Sequence, residues 1–287
     1  LVNGVPIIVT SVANIPGQTS YYVFLKIMET PVGGKLELVS VYQDVPMDPQ
    51  EQAAMALVTN HDGMIHKHPI TGQYIAYLSY GNWGLVLLDM ADPVNPQYLS
   101  RIVPWDHVPK ADANAGYIHE AVPIDEVWDG KHFTFVGDEC GGHPIGTPTC
   151  LAYAIDTTDP RQPLIAGAWT LPHDVAWTSG LQFSLHYLGY YNKTLFTTVY
   201  HGGLWAVDVS DLTSGTPTSL PSIGVFMPPY VSPKPPPGAS VGYSPRVNDL
   251  NVFPDGILVV YDAHTGLYTV RFHDENPAPA PEPWPLS

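Results

Sequence analysis

Hydrophobic residues in this chain come in short runs, broken every few positions by Gly, Pro or Asp. Two early segments, Tyr21-Tyr-Val-Phe-Leu-Lys-Ile-Met28 and Lys35-Leu-Glu-Leu-Val-Ser-Val-Tyr42, have the length and the aromatic and β-branched content of strands. Residues 5–45 predict three strands. Residues 62–103, 116–170, 182–227 and 246–273 predict three or four each, so five blade-like groups follow one another. Asp48-Pro-Gln-Glu-Gln-Ala-Ala-Met-Ala-Leu57 is the one helical candidate, with Asp48 as N-cap and Pro49 at the first helical position. Leu1-Val2-Asn3-Gly4-Val5 predicts a hairpin closed by an Asn-Gly turn. The chain is therefore expected to start mid-blade, its upstream strand missing or supplied elsewhere. Residues 228–245, with Pro235-Pro-Pro237, predict a long rim loop. The Pro-rich tail, residues 274–287, predicts a polyproline-type extension on the surface.

One strand pair recurs. It reads Tyr80-Gly-Asn-Trp-Gly-Leu-Val-Leu-Leu-Asp89-Met-Ala-Asp-Pro-Val-Asn-Pro96, then Cys150-Leu-Ala-Tyr-Ala-Ile-Asp156-Thr-Thr-Asp-Pro-Arg-Gln-Pro163, then Tyr200-His-Gly-Gly-Leu-Trp-Ala-Val-Asp208-Val-Ser-Asp211. A degenerate copy is Tyr261-Asp-Ala-His-Thr-Gly-Leu-Tyr-Thr-Val-Arg271, with Arg271 where the others carry Asp. The common elements are a tight turn, an apolar strand and an Asp that opens a second turn. Repetition of one small β unit predicts an array: an all-β propeller of four-stranded antiparallel blades over residues 1–273, with six or seven blades in a complete ring.

The Gly-Leu-Val-Leu-Leu-Asp-x-x-Asp-Pro-x-x-Pro core resembles the LVIVD-repeat proteins, a family of bacterial and archaeal β-propellers, over roughly residues 62–273. The resemblance implies the fold and no single activity.

Composition agrees with short strands and many turns. The chain has 287 residues, 45% of them hydrophobic and only 13% charged, with 31 Pro and 25 Gly. Its formal net charge of −16 would repel a phosphate backbone, which argues against nucleic acid as a partner. No apolar run reaches the length of a membrane span, and the sequence carries no signal peptide. Cys140 and Cys150, its two cysteines, flank a Gly/Pro loop. A disulfide is the preferred expectation and implies an oxidising compartment; two free thiols or a metal site are the alternatives. Asn192-Lys-Thr194 is a glycosylation sequon. Together these favour an extracellular, cell-surface or periplasmic location, in a chain processed from a longer precursor.

Candidate chemistry follows from topology. In a propeller, first-strand starts and the turns between second and third strands converge on one mouth. The first set holds His66-Lys-His68, His119-Glu120, His186, Asn248 and Asn251. The second holds Tyr80 and Asn82, Asp138 and Glu139, Tyr200 and His201, and Asp262 and His264. Imidazoles with nearby carboxylates suit Zn, Cu, Fe or Mn, so one transition metal is expected on residues from His66, His68, His119, His186, His201 and His264. Glu120, Asp138, Glu139 and Asp262 are the accompanying oxygen ligands or orienting groups. The alternative is that each ring bonds a neighbouring blade's backbone. Asp138-Glu139 also suits acid/base work, a Ca²⁺ anchor, or simple turn capping. Asp89, Asp156 and Asp208 are expected to cap turns. Trp83, Trp205 and Tyr268 are expected to pack between blades.

No nucleophile elbow, phosphate loop or dinucleotide fingerprint is present. Three classes of function follow. The first is a binding or structural propeller module; the second is a metal-dependent lyase, hydrolase or oxidase. The third is a subunit of an extracellular assembly, meeting a protein partner or another copy through the open first blade or the Pro-rich tail.

Overall fold

Tyr21-to-Met28 and Lys35-to-Tyr42 pair as the alternation predicts, and the same pairing is repeated along the chain. A computed structural model describes residues 1–12, 21–43, 60–106, 116–139, 150–172, 182–214, 218–229 and 245–272. The helical candidate 48–57, Cys140, most of the loop 228–245 and the tail lie outside the described residues.

Among the described residues the chain is an all-β propeller, its sheets laid down in sequence order as blades. The first blade is β1 (Ile7–Val12), β2 (Tyr21–Thr30) and β3 (Gly33–Tyr42). The second is β4 (Gly63–Lys67), β5 (Tyr74–Ser79), β6 (Leu85–Asp89) and β7 (Gln97–Ile102). The third is β8 (Ile118–Pro123), β9 (Phe133–Asp138), β10 (Leu151–Asp156) and β11 (Leu164–Thr170). The fourth is β12 (Leu188–Tyr191), β13 (Thr194–Thr198), β14 (Leu204–Asp208) and β16 (Ser222–Phe226), while β15 (Thr218–Ser219) adds in parallel to β11. The fifth is β17 (Val247–Val252), β18 (Ile257–Asp262) and β19 (Gly266–Arg271). The first and last blades thus show three strands among the described residues, and the second and fourth show four. Among the described residues helix is confined to two 3-10 turns, Pro104–Asp106 and Leu212–Ser214.

The chain divides into two compact units. Leu1–His107, Tyr117–Val136 and Ile155–Ile165 form the first; Val108–Gly116, Gly137–Ala154 and Ala166–Ser287 form the second. The division falls within β9, β10 and β11 of the third blade.

In the first unit, inward-facing residues of β2 (Tyr22, Phe24), β5 (Ala76, Leu78) and β6 (Val86, Leu88) form one core with Val2, Tyr80 and Met90. The Val, Leu, Phe and Met side chains among them each contribute roughly 1.5–3 kcal/mol on leaving water. The Tyr22 and Tyr80 rings meet edge-on at 4.9 Å, and the Tyr22 hydroxyl donates to the Ser79 carbonyl at 2.6 Å, so its polar end is satisfied inside the core. Trp83 packs on this core, with Arg101 over its ring at 4.3 Å. In the second unit, Phe196, Leu204 and Ala206 of the fourth blade meet Val247, Leu250, Leu258 and Val260 of the fifth. Phe226 and Tyr268 add an edge contact between these blades at 5.6 Å, and Trp205 lies 5.8 Å from Trp169.

The repeated Asp residues cap turns as expected. Asp89 accepts from Ala91 N at 2.9 Å, Asp156 from Thr158 N at 3.0 Å and Asp208 from Ser210 N at 2.8 Å. The degenerate copy keeps the device one strand earlier, where Asp262 accepts from the amides of His264 and Thr265. Asn3 and Gly4 have φ of 49° and 81°, and the Val2 and Val5 amides and carbonyls bond reciprocally at 2.8 Å, which is the Asn-Gly hairpin read from the sequence.

Candidate metal centre

His61 and His119 are brought together by the backbone of the first unit. His61 N donates to Ser79 O at 2.8 Å, Ser79 N donates to Asp62 O at 2.9 Å, and Asp62 N donates to His119 O at 3.1 Å. The segment before β4 is thereby tied to the end of β5 and to the start of β8. The two imidazoles lie with centroids 3.7 Å apart and planes tilted by 34°. Their ligand nitrogens are within 4.8 Å of each other. His119 is fully buried, whereas the side chains of His61 and Asp62 are each about a third exposed, at 36%. One edge of the pair is therefore open to solvent.

Asp62 sets the chemistry. Its Oδ1 lies 3.2 Å from His61 Nδ1, and its Oδ2 lies 4.0 Å from His119 Nδ1. A carboxylate accepting from Nδ1–H leaves Nε2 of His61 as the lone-pair nitrogen. An imidazole oriented in this way is how proteins present histidine to a metal. Tyr117, whose ring is 6.1 Å from that of His61, lies alongside.

His61 was not among the residues that the sequence pattern singled out. Its signal was there: β4 starts at Gly63, so the residues just before it are Asn60-His61-Asp62, and His66 and His68 fall at its far end. The same position in the fourth blade is His186, whose amide donates to Thr198 O at 3.0 Å as that of His61 does to Ser79 O.

His66 and His68 join His132. The ring of His132 lies 4.5 Å from that of His68 and 6.4 Å from that of His66. His68 donates from Nε2 to Thr157 O at 2.8 Å, and its Nδ1 accepts from the amides of Ile70 and Thr71, so both nitrogens are engaged by backbone. Burial holds its pKa below the usual value. His66 Nε2 bonds Asp125 Oδ1 at 2.9 Å. Glu120, on β8, is half-buried.

In the second unit the Tyr200 hydroxyl donates to Glu139, and His186 Nε2 is 3.9 Å from Glu139 Oε1. His186 Nδ1 bonds Asn248 O at 2.8 Å. Burial first, then Glu139, push the Tyr200 hydroxyl far above the usual tyrosine range, so it remains a donor. The His201 and His264 rings are 6.2 Å apart, and His201 Nδ1 faces the backbone of Gln182. Asp138 is fully buried, and Asp262 is an amide cap. Cys150 is buried with Sγ 3.3 Å from Phe183 O, while Cys140 lies outside the described residues. Asn192 and Lys193 form an exposed two-residue turn, both with positive φ, between β12 and β13.

No protein-family model matches the chain, and no curated protein matches it. Solved structures do. An active polycomb repressive complex 2 in the basal state aligns with 98% of this chain and 52% of its own, at 11% identity and a TM-score of 0.53. A humanized mutant of the Chaetomium thermophilum Polycomb Repressive Complex 2 aligns with 97% of this chain and 53% of its own, at 11% identity and 0.52. The Nup133 β-propeller domain of Vanderwaltozyma polyspora covers 91% of this chain and 70% of its own, at 14% identity and 0.48. The chain spans about half the length of the two polycomb chains, and at these identities the likeness concerns the fold alone. Among the described residues no helix is long and apolar enough to cross a membrane.

Proposed function

We propose that this chain is a β-propeller binding module of the LVIVD-repeat kind that carries one transition-metal ion on His61 and His119. The observation that carries the proposal is the pairing of these two rings at 3.7 Å beside Asp62, which orients His61 for ligation. Two imidazoles suit Zn²⁺ or copper, and a carboxylate is the fitting further ligand.

Protein purified without chelator should contain close to one equivalent of metal by elemental analysis. His61→Ala and His119→Ala should each lower the bound metal at least tenfold, while the strand content by circular dichroism stays unchanged. Metal content unaffected by the paired His61 and His119 substitutions would overturn the proposal.

The module is further proposed to work outside the cell, in line with a Cys140–Cys150 disulfide. Non-reducing mass analysis of freshly purified protein should show no alkylatable thiol. Two reactive thiols would remove both the bond and the compartment it implies.

A further inference from the structure

Arg246, just before β17, is placed unusually for a cation in a chain of net charge −16. Its guanidinium lies over the ring of Tyr200, with Cζ 4.2 Å from the centroid. Among the described residues no carboxylate pairs with it, and its Nε is buried without a hydrogen-bond partner. Arginine in an acidic protein ordinarily finds a carboxylate; here the ring of a tyrosine has taken that place.

Tyr200 is itself held as a platform. Its φ of 29° lies in the left-handed region, which residues with a side chain seldom occupy. Its carbonyl accepts from Val247 N at 2.9 Å, and its hydroxyl donates to Glu139. The ring is therefore fixed from the backbone and from its tip. The His186 ring, pinned through Nδ1 to Asn248 O, stands 5.2 Å from it. A guanidinium lying on such a platform keeps its plane, and with it the direction in which its N–H groups point.

We infer that Arg246 anchors a binding site for a small monoanionic carboxylate, which meets the guanidinium edge-on while Tyr200 supports the plane from behind. Planar, paired N–H donors match the two oxygens of a carboxylate. The charge of the ligand follows from the surroundings. One guanidinium supplies a single positive charge, while Glu139 and Asp262 belong to the same neighbourhood of rings and strands, with Asp262 opposite Val247 in the β17–β18 pairing. Repulsion from these two carboxylates scales with the charge of the ligand, so a doubly charged phosphate or sulfate is opposed about twice as strongly as a monoanion. All the residues used belong to the second unit, and none of them is His61 or His119.

The test is calorimetric titration of acetate, and of phosphate and chloride as competitors of other kinds, into the full chain. Acetate should bind at concentrations where chloride gives no heat, and phosphate should bind more weakly than acetate. Arg246→Lys keeps the charge but loses the paired donors, and should weaken acetate binding about tenfold or more. Tyr200→Phe retains the ring and should keep most of the binding. The variant carrying both His61→Ala and His119→Ala should bind acetate as the wild type does, which separates this site from the metal. Absence of acetate-specific binding to the wild type would overturn the inference whatever the variants do. So would phosphate binding that equals or exceeds that of acetate, or unchanged acetate binding in a folded Arg246→Lys protein.

Discussion

Replacing Gly84 with Ala is expected to cost about 3–4 kcal/mol, among the largest effects of any single change in the first unit. Gly84 closes the turn between β5 and β6 with φ of 87°. A left-handed backbone costs a side-chain-bearing residue roughly 1–2 kcal/mol by itself. The larger part is steric. A Cβ at this position would run into the Ile102 carbonyl oxygen and come within 3.0 Å of Ile102 C and Val103 Cα. Those atoms are backbone at the end of β7, so relief requires the outer strand to move and its pairing with Leu85 to loosen. Gly203 stands in the same place in the fourth blade, with φ of 83° and a Cβ position 2.7 Å from Phe226 O at the end of β16. Gly72 is the control: its φ is 72°, yet nothing lies within 4 Å of its Cβ position, so Gly72→Ala should cost only about 1 kcal/mol. Urea denaturation of the three proteins checks this. Equal midpoints for Gly84→Ala and Gly72→Ala would show that the outer strand gives way freely.

Acidification is expected to destabilise the first unit through His132, by about 3 kcal/mol between pH 6.5 and 4. His132 is fully buried, donating from Nε2 to Ile124 O at 2.8 Å while its Nδ1 faces the Thr157 hydroxyl at 2.9 Å. Burial first, then the neighbouring His68, lower its pKa to about 4; the Ile124 carbonyl and Asp156 act the other way. The folded pKa is thus below that of the unfolded chain, near 6.5. The unfolded state takes up the proton first as pH falls, so stability is full above pH 6.5 and is lost progressively down to about 4.

His68 adds in the same direction, since protonating its Nδ1 would end the bonds from the Ile70 and Thr71 amides. The charged and titratable groups facing this cluster are His66 with its partner Asp125, Asp159 beside His68, and Asp156 paired to Lys131 at 3.4 Å. His132→Gln removes the proton-binding group. Its unfolding free energy should vary less between pH 6.5 and 4 than that of the wild type. Parallel pH profiles would show that His132 is not the group responsible. The carboxylates titrate in both proteins and cancel in the comparison.

Much of this molecule was legible along the chain because its information is local. Strand positions, the Asn3-Gly4 hairpin and the Asp caps each depend on a few neighbouring residues, and each has a backbone requirement that only certain side chains meet. The recurrence of Gly84 and Gly203 before an apolar strand and an Asp exposed the blade as a unit. Conversely, the backbone contact that makes those glycines necessary joins them to Ile102 and Phe226, eighteen and twenty-three residues away, and no local pattern displays it.

The candidate site was only half legible for the same reason. His119 could be placed at the start of a strand, but the start of β4 was misplaced by a few residues, and with it the choice between His61 and His66. In a strand so short, a shift of this size exchanges one end of the blade for the other. The surroundings of each ring also follow from partners distant in sequence. His68 lies against Thr157, 89 residues away, and has both nitrogens engaged, whereas His61 lies against His119 with Asp62 beside its Nδ1. The sequence by itself determined that the chain would fold as successive β blades rich in histidine near their turns, because repeated local geometry demands it. Only the tertiary structure decided which imidazoles are bound up in backbone hydrogen bonds and which lie against another ring, because that depends on carbonyls and rings contributed by other blades.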